Sequence, residues 1–268
     1  MMNPGSSSVA PNGETQPNGA PSGAPVGVRS NRILDLVFRW RYALHVLIYS
    51  AAFAISWIGP QGAHAQRVWL ALPEAASNYL SQDLHSAILA TTGLVIFCAF
   101  AGAFLRTWGA AYLGANLVVD SAQSAPTIIV DGPYRFLRNP LYLGTIFHTL
   151  AISVLMSWAG AAFAIVGVVG LQTVLISAEE RFLLFRWKEP YRAYLCRTPR
   201  FLPRLSGPAS THKTKAQWPA ALAGEIYMWG VAITFVALGA NYNATLILQG
   251  LLVSLGLSIV VRGLLSKR

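Results

Sequence analysis

The sequence predicts an all-α, polytopic integral membrane protein of about six transmembrane helices with a central helical hairpin. Three observations carry this. Of 268 residues, 54% are hydrophobic and 11% charged, against the roughly 25% charged content of soluble globular domains. Six apolar runs have about the 17 to 25 residues that a helix needs to cross a hydrocarbon core, where each backbone amide must be paired internally. The basic residues gather on one side of those runs.

Residues 1–30 hold Pro4, Gly5, Pro11, Gly13, Pro17, Pro21 and Pro25 among Ser and Asn, a composition that reads as a disordered tail. With no apolar stretch behind a basic start, the tail does not read as a secretory signal, and the first apolar run is long enough to stay in the membrane. The runs cover residues 35–58, 84–105, 141–157, 160–178, 218–239 and 243–261, the third being the shortest. They divide the chain into the tail 1–30, N-terminal transmembrane helices in 31–105, a core with the helical hairpin in 106–205, and a C-terminal transmembrane hairpin in 206–268.

Orientation follows from the tendency of Lys and Arg to collect in cytoplasmic loops. Arg29, Arg32, Arg39 and Arg41 precede or open the first run, and Arg106, Arg135 and Arg138 lie between the second and third. Arg181 to Lys215 fill the link between the fourth and fifth, and Arg262, Lys267 and Arg268 follow the sixth. Of 20 basic residues, only Arg67 falls in an outside loop. Both termini are therefore expected in the cytoplasm, with four or six spans. The net charge of +10 does not point to nucleic acid, because the basic residues alternate with apolar runs too long for a soluble basic domain. Cys98 and Cys196 have no metal-type spacing and read as free thiols, with no metal expected. Asn243-Ala244-Thr245 matches a glycosylation acceptor pattern but abuts a span in a short loop, so its use is not expected.

Two polar clusters carry the functional signal. In 131–144, Asn139 suits a helix N-cap and Pro140 the first helical position, where a missing amide costs nothing. A helix N-terminus, with free amides and a positive dipole end, then lies beside Arg135 and Arg138 and favours an anion. The second cluster, Glu179 and Glu180, continues the fourth run past its apolar part. If the hairpin turns near Trp158, Asn139 lies 19 residues before the turn and Ser177 lies 19 after it. At about 1.5 Å of rise per residue, the glutamates then come within roughly a helical turn of the Arg138-Asn139-Pro140 start. As a set with Tyr134, Tyr142, Tyr191 and Tyr194, these residues suit a zwitterion carrying a carboxylate, an ammonium and a sulfonium. Taken singly, Arg138 reads as an interfacial snorkelling residue, the glutamates as a water-facing span end, and the tyrosines as an aromatic belt.

The strings GPYRFLRNPLYLG and, one hairpin later, EERFLLFRWKEPYRAYLCRTPRFLP resemble the isoprenylcysteine carboxyl methyltransferases and phospholipid methyltransferases, a family of integral membrane methyltransferases. The resemblance covers roughly residues 106 to 205. It implies an S-adenosyl-L-methionine-dependent methyltransferase with a cofactor pocket at the cytoplasmic membrane face and a lipid-like or isoprenoid-linked acceptor entering from the bilayer. Carried over by position, it implies cofactor contacts from Pro126, Thr127, Ile128, Ile129, Tyr134, Asn139, Pro140, Leu141 and Tyr142. Glu179, 12 residues before Tyr191, is implied as the carboxylate for the cofactor's amino group.

Three departures from the family pattern bear on chemistry. Asn139 stands where many members have His, so no base titrating near neutral pH is available there. Trp187-Lys188, with Pro190 following, replaces a Phe-Gly pair, and the chain direction is expected to differ there. Leu175 replaces an Arg that reads a prenylcysteine carboxylate, which argues against that acceptor.

An in-line displacement from a sulfonium needs alignment and exclusion of water but no covalent nucleophile. Glu180 and Arg138 are the candidate catalytic residues, Glu180 or a Tyr being the nearest proton acceptor for an amine or hydroxyl acceptor. Arg197 and Arg200 are candidates for holding an anionic head group, with snorkelling an equal reading. A phospholipid amine N-methyltransferase is the nearest alternative. A sterol-reductase-type membrane reductase and a non-enzymatic transporter or scaffold stay open. His45 and His148 are isolated intramembrane polar residues, read as packed and hydrogen-bonded rather than functional.

Overall fold

The computed structural model describes residues 32–58, 66–81, 83–114, 128–204, 214–241 and 243–265. The expected tail, Pro126 and Thr127 lie outside the described residues. Among those described, the fold is all-helical. The helices are α1 (Arg32–Arg39), α2 (Arg41–Ile58), α3 (Val68–Leu80), α4 (Leu84–Leu113), α5 (Pro140–Ser153), α6 (Trp158–Arg197), α7 (Trp218–Gly224), α8 (Ile226–Leu238) and α9 (Ala244–Leu265).

By length and composition alone, the described helices reach four, the lower of the two expected counts, only if a bent pair is taken as one span. Three helices (α4, α6 and α9) are long and apolar enough to cross a membrane, and the pair α7–α8, bent by 67°, makes a fourth if counted as one span. The run 35–58 is broken at Trp40 into α1 and α2. The run 141–157 yields only the 14-residue α5, because its last residues form the hairpin turn.

That turn is held from outside. The amides of Val68 and Trp69, at the start of α3, donate to the carbonyls of Met156 at 2.9 Å and Val154 at 2.7 Å. Ser157 caps α6, its hydroxyl accepting the Gly160 amide at 3.3 Å. Buried carbonyls left over between two helices are thus satisfied, and the hairpin reverses where the sequence predicts it. Trp69, fully buried, packs against Phe235 of α8 with ring centroids 6.0 Å apart.

The other wall of the hairpin is α4, which crosses α5 at two glycines. A Cβ on Gly102 would lie 2.8 Å from the Gly144 carbonyl oxygen and 3.0 Å from the His148 amide nitrogen, both backbone atoms that cannot swing away. Gly102→Ala is therefore expected to destabilise the protein by about 1–3 kcal/mol through overpacking. Gly93→Ala, on the same helix with nothing within 4 Å, should gain several tenths of a kcal/mol in helix propensity. Thermal melts of the two variants in detergent check the contrast.

Above this crossing, Arg106 of α4 donates to both oxygens of Glu225 at 2.7 and 2.8 Å and to the Thr145 hydroxyl at 2.9 Å. Glu225 is nearly buried at the α7–α8 bend. This bidentate pair joins α4, α5 and the C-terminal helices. His45 meets the packed, hydrogen-bonded expectation: Nδ1 donates to the Arg41 carbonyl at 2.6 Å, and Nε2 accepts from Gln172 at 3.1 Å. His148 is also buried, its ring edge-on to Tyr227 at 5.3 Å, but neither ring nitrogen has a hydrogen-bond partner among the described residues.

Candidate active site

The segment ahead of α5 begins with a 3₁₀ turn, Gly132–Arg135. Gly132 has φ +58°, and a Cβ there would run into the Tyr112 ring, so only glycine fits. The turn buries Tyr134, whose carbonyl accepts the Tyr194 hydroxyl at 2.9 Å. Burial, reinforced by the nearby Glu179 carboxylate, pushes the Tyr134 hydroxyl well above its usual range. It stays protonated and donates weakly to the Gly109 carbonyl at 3.4 Å.

Helix α5 then starts at Pro140 with Asn139 at the N-cap position, as predicted, but the Asn139 side chain does not cap. Its amide nitrogen donates instead to Glu180 Oε1 at 3.5 Å and to the Arg200 carbonyl at 3.3 Å. The first turn of α5 is left without a side-chain cap; Pro140 has no amide, and those of Leu141 and Tyr142 have no partner within the helix.

The opposite wall comes from α6, whose glutamates divide their partners. Tyr142 donates to Glu179 Oε2 at 2.8 Å. Glu180 pairs with Arg200 and has Arg138 Nε 3.1 Å from Oε1, an ionic contact whose angle falls short of a hydrogen bond. The Arg138 side chain also donates to the Leu195 carbonyl at 2.9 Å.

Past these residues α6 kinks at Lys188, where φ is +45°. Glycine adopts a positive φ freely and lysine does so only under strain. Pro190 removes a further helical hydrogen bond. The altered chain direction expected at Trp187-Lys188 is therefore a kink, and beyond it Tyr191 and Tyr194 pack together with centroids 5.8 Å apart. Residues 198–204 return as a strap: the Arg138 amide donates to the Pro199 carbonyl at 2.9 Å, and the Arg204 amide to the Phe136 carbonyl at 3.0 Å.

Between these walls lies a cleft of about 60 Å³, partly open at its mouth. Leu113, Ile128, Ile129 and Leu183 form its apolar side, while Tyr134, Arg138, Asn139, Glu179, Glu180, Tyr191 and Tyr194 supply the polar and aromatic side.

The two motif strings thus meet in one cleft. Residues 90–189 match the Phospholipid methyltransferase family model. The resemblance read from the two strings is borne out by this match, which starts earlier and ends before Tyr191, Tyr194 and Arg200. The chain is also 32% identical over 110 residues to the cobalt-zinc-cadmium resistance protein CzcN of Cupriavidus metallidurans (strain ATCC 43123 / DSM 2839 / NBRC 102507 / CH34), covering 38% of this chain and 44% of that one. It therefore spans less than half the length of that relative. No solved structure matches.

Within the matched segment, Ile128, Ile129, Tyr134, Arg138, Asn139, Glu179 and Glu180 line the cleft as the sequence led us to expect. Tyr142 contributes through its bond to Glu179. Pro140 and Leu141 pack instead against Gly109, where their Cγ atoms would lie 3.2 and 3.1 Å from an added Cβ. Outside the match, Arg200 reaches the cleft through Glu180, whereas Arg197 is exposed and its carbonyl accepts Arg204 at 2.6 Å. Leu113 and Leu183 are lining residues that the sequence did not single out. Each lies past the end of its apolar run, in a helical stretch with no signal to set one leucine apart.

Proposed function

We propose that this chain transfers a methyl group from S-adenosyl-L-methionine to a lipid-like acceptor, in the cleft between the start of α5 and the distal part of α6. The observation that carries the reading is the pairing of a helix N-terminus that has no side-chain cap with Glu179, whose carboxylate accepts from Tyr142, inside a cleft with an aromatic and aliphatic wall. That donor and acceptor set fits a zwitterionic amino acid joined to a nucleoside. Glu179 is suited to an ammonium, the first amides of α5 to a carboxylate, and the Leu113, Ile128, Ile129 and Leu183 side to a flat base. The cofactor, when bound, supplies a methyl group on a sulfonium, and an electron-rich acceptor atom takes it in one displacement. The work of the side chains is then to orient both reactants and keep water out.

In this reading Glu180, Arg138 and Arg200 form a frame. A guanidinium lies against each of the Glu180 oxygens, an arrangement that suits it to fixing the strap. The basic residues near this end of the helices support a cytoplasmic location for the cleft, and the exposed apolar faces of α4 and α9 support an acceptor arriving from the bilayer.

Calorimetric titration of the detergent-purified chain with S-adenosylhomocysteine, the demethylated product, tests the reading without knowledge of the acceptor. Micromolar binding, about −8 kcal/mol, is the expected result. Absence of heat from folded protein would remove it and return the reductase and transporter readings.

A further inference from the structure

The matched segment 90–189 leaves the N-terminal helices without a role, yet α2 lies against α6, and its packing has a readable direction. Gly160 of α6 sits against the Ala52 carbonyl, Gly167 is 3.1 Å from Ile48 Cγ2 by its added Cβ, and Gln172 bonds to His45 at 3.1 Å. The contacts climb α6 as they descend α2, so the helices run antiparallel. One further turn toward the start of α2 brings Arg41 to the level of Glu179. Arg41 lies within electrostatic reach of both the Glu179 carboxylate and the Tyr142 hydroxyl.

Its surroundings suit the head of an amphiphile. The guanidinium donates to the Phe38 carbonyl at 3.0 Å and lies 4.7 Å from the Tyr42 ring centre. Trp40 and Tyr42, both about half exposed, flank it, and Val46 and Leu47 continue an exposed apolar strip along α2. A cation between interfacial aromatics at the end of an apolar strip can take a lipid's charged head while its chain lies along the strip. Arg138 and Arg200 both face Glu180.

We propose that Arg41 recognises the methyl acceptor, its guanidinium holding an anionic group of that lipid, phosphate or carboxylate, beside the Tyr142–Glu179 pair. This rests on the methyltransferase reading above, which puts the cofactor's ammonium at Glu179 and an acceptor in the same cleft.

The test uses the full chain in detergent, saturated with S-adenosylhomocysteine, and titrates three single-chain probes: oleoyl lysophosphatidate, oleate and the uncharged monoolein. Wild type is expected to bind at least one anionic probe about tenfold or more tighter than monoolein, as a charge-assisted hydrogen bond implies. The probe preferred, phosphate or carboxylate, identifies the group. Arg41→Gln should abolish the preference while leaving the affinity for S-adenosylhomocysteine unchanged. Arg41→Lys, which keeps the charge and is the fallback if the first variant unfolds, should retain part of the preference. Equal binding of all three probes by wild type, a preference surviving in Arg41→Gln, or a loss of S-adenosylhomocysteine binding that parallels the loss of anion binding would each overturn the proposal. Failure of wild type to bind S-adenosylhomocysteine would instead sink the donor reading, and the lipid titrations, run without it, would still decide whether Arg41 is an anion site.

Discussion

Glu180→Gln is expected to cost about 3 kcal/mol of stability and to lower the apparent Tm in detergent by about 6–12 °C. The change alters the volume little and removes one charge. Glu180 is nearly buried, with a side chain 10% exposed, and Arg138 facing it is 13% exposed. Removing the carboxylate leaves a buried guanidinium without its counter-charge, which costs more than the pair ever contributed. The loss also spreads. Arg138 joins the start of α5 to the Leu195 carbonyl, Arg200 belongs to the strap that closes over residues 136–139, and Asn139 bonds to Glu180 and to the Arg200 carbonyl. Loosening of the strap should appear as faster amide exchange at Arg138 and Arg204, whose amides it holds. A melt indistinguishable from wild type would show that the frame around Glu180 contributes nothing measurable.

The frame was partly legible in the sequence, and the part that was missed has a physical reason. The hairpin followed from run lengths and the short 158–160 link, so Asn139 and Glu180 could be brought to equal depth by counting residues. Helix geometry is periodic enough for that. The helix start at Pro140 was legible because a fixed φ and a missing amide make proline a strong local signal. The departure from the family pattern at Trp187-Lys188, with Pro190 following, also announced a change of direction there, though not the positive φ at Lys188.

Arg106 and Glu225 gave no such signal. They are 119 residues apart, and nothing in either local window says that α7–α8 bends by 67° to bring a carboxylate onto a guanidinium. Hydropathy even counted Glu225 within a span, because a single charge barely lowers a window average. The same averaging merged α1 with α2 across Trp40 and extended α5 into its turn. Apolar content measures how dry a segment is, and the helix ends depend on caps and partners that lie elsewhere in the chain. The role of the Asn139 side chain was hidden likewise: its cap position was right, but its bonds go to α6 and the strap.

Glu179→Gln is the complementary experiment, the same chemical change one residue earlier with the opposite expected outcome. Glu179 faces the cleft, and its bond is from a neutral hydroxyl, Tyr142 at 2.8 Å; the glutamine carbonyl can accept that bond equally well. No buried cation is stranded by the exchange, so the melt should stay within about 1 kcal/mol of wild type. Binding of the cofactor is a different matter. If Glu179 faces the ammonium of the methionine moiety, removing its charge breaks a desolvated ion pair, which typically costs 2–5 kcal/mol. The Kd for S-adenosylhomocysteine should then rise by about 30-fold or more. Adenosine lacks the amino-acid part and makes the control: its affinity, however weak, should be the same in wild type and variant. A folded Glu179→Gln protein that binds S-adenosylhomocysteine as well as wild type does would remove this residue from the cofactor site. Loss of adenosine binding as well would mean that the substitution had disturbed the cleft as a whole. Only the selective loss ties the carboxylate to the ammonium, and the two glutamates then divide between them what no single substitution can separate, the building of the site and its use.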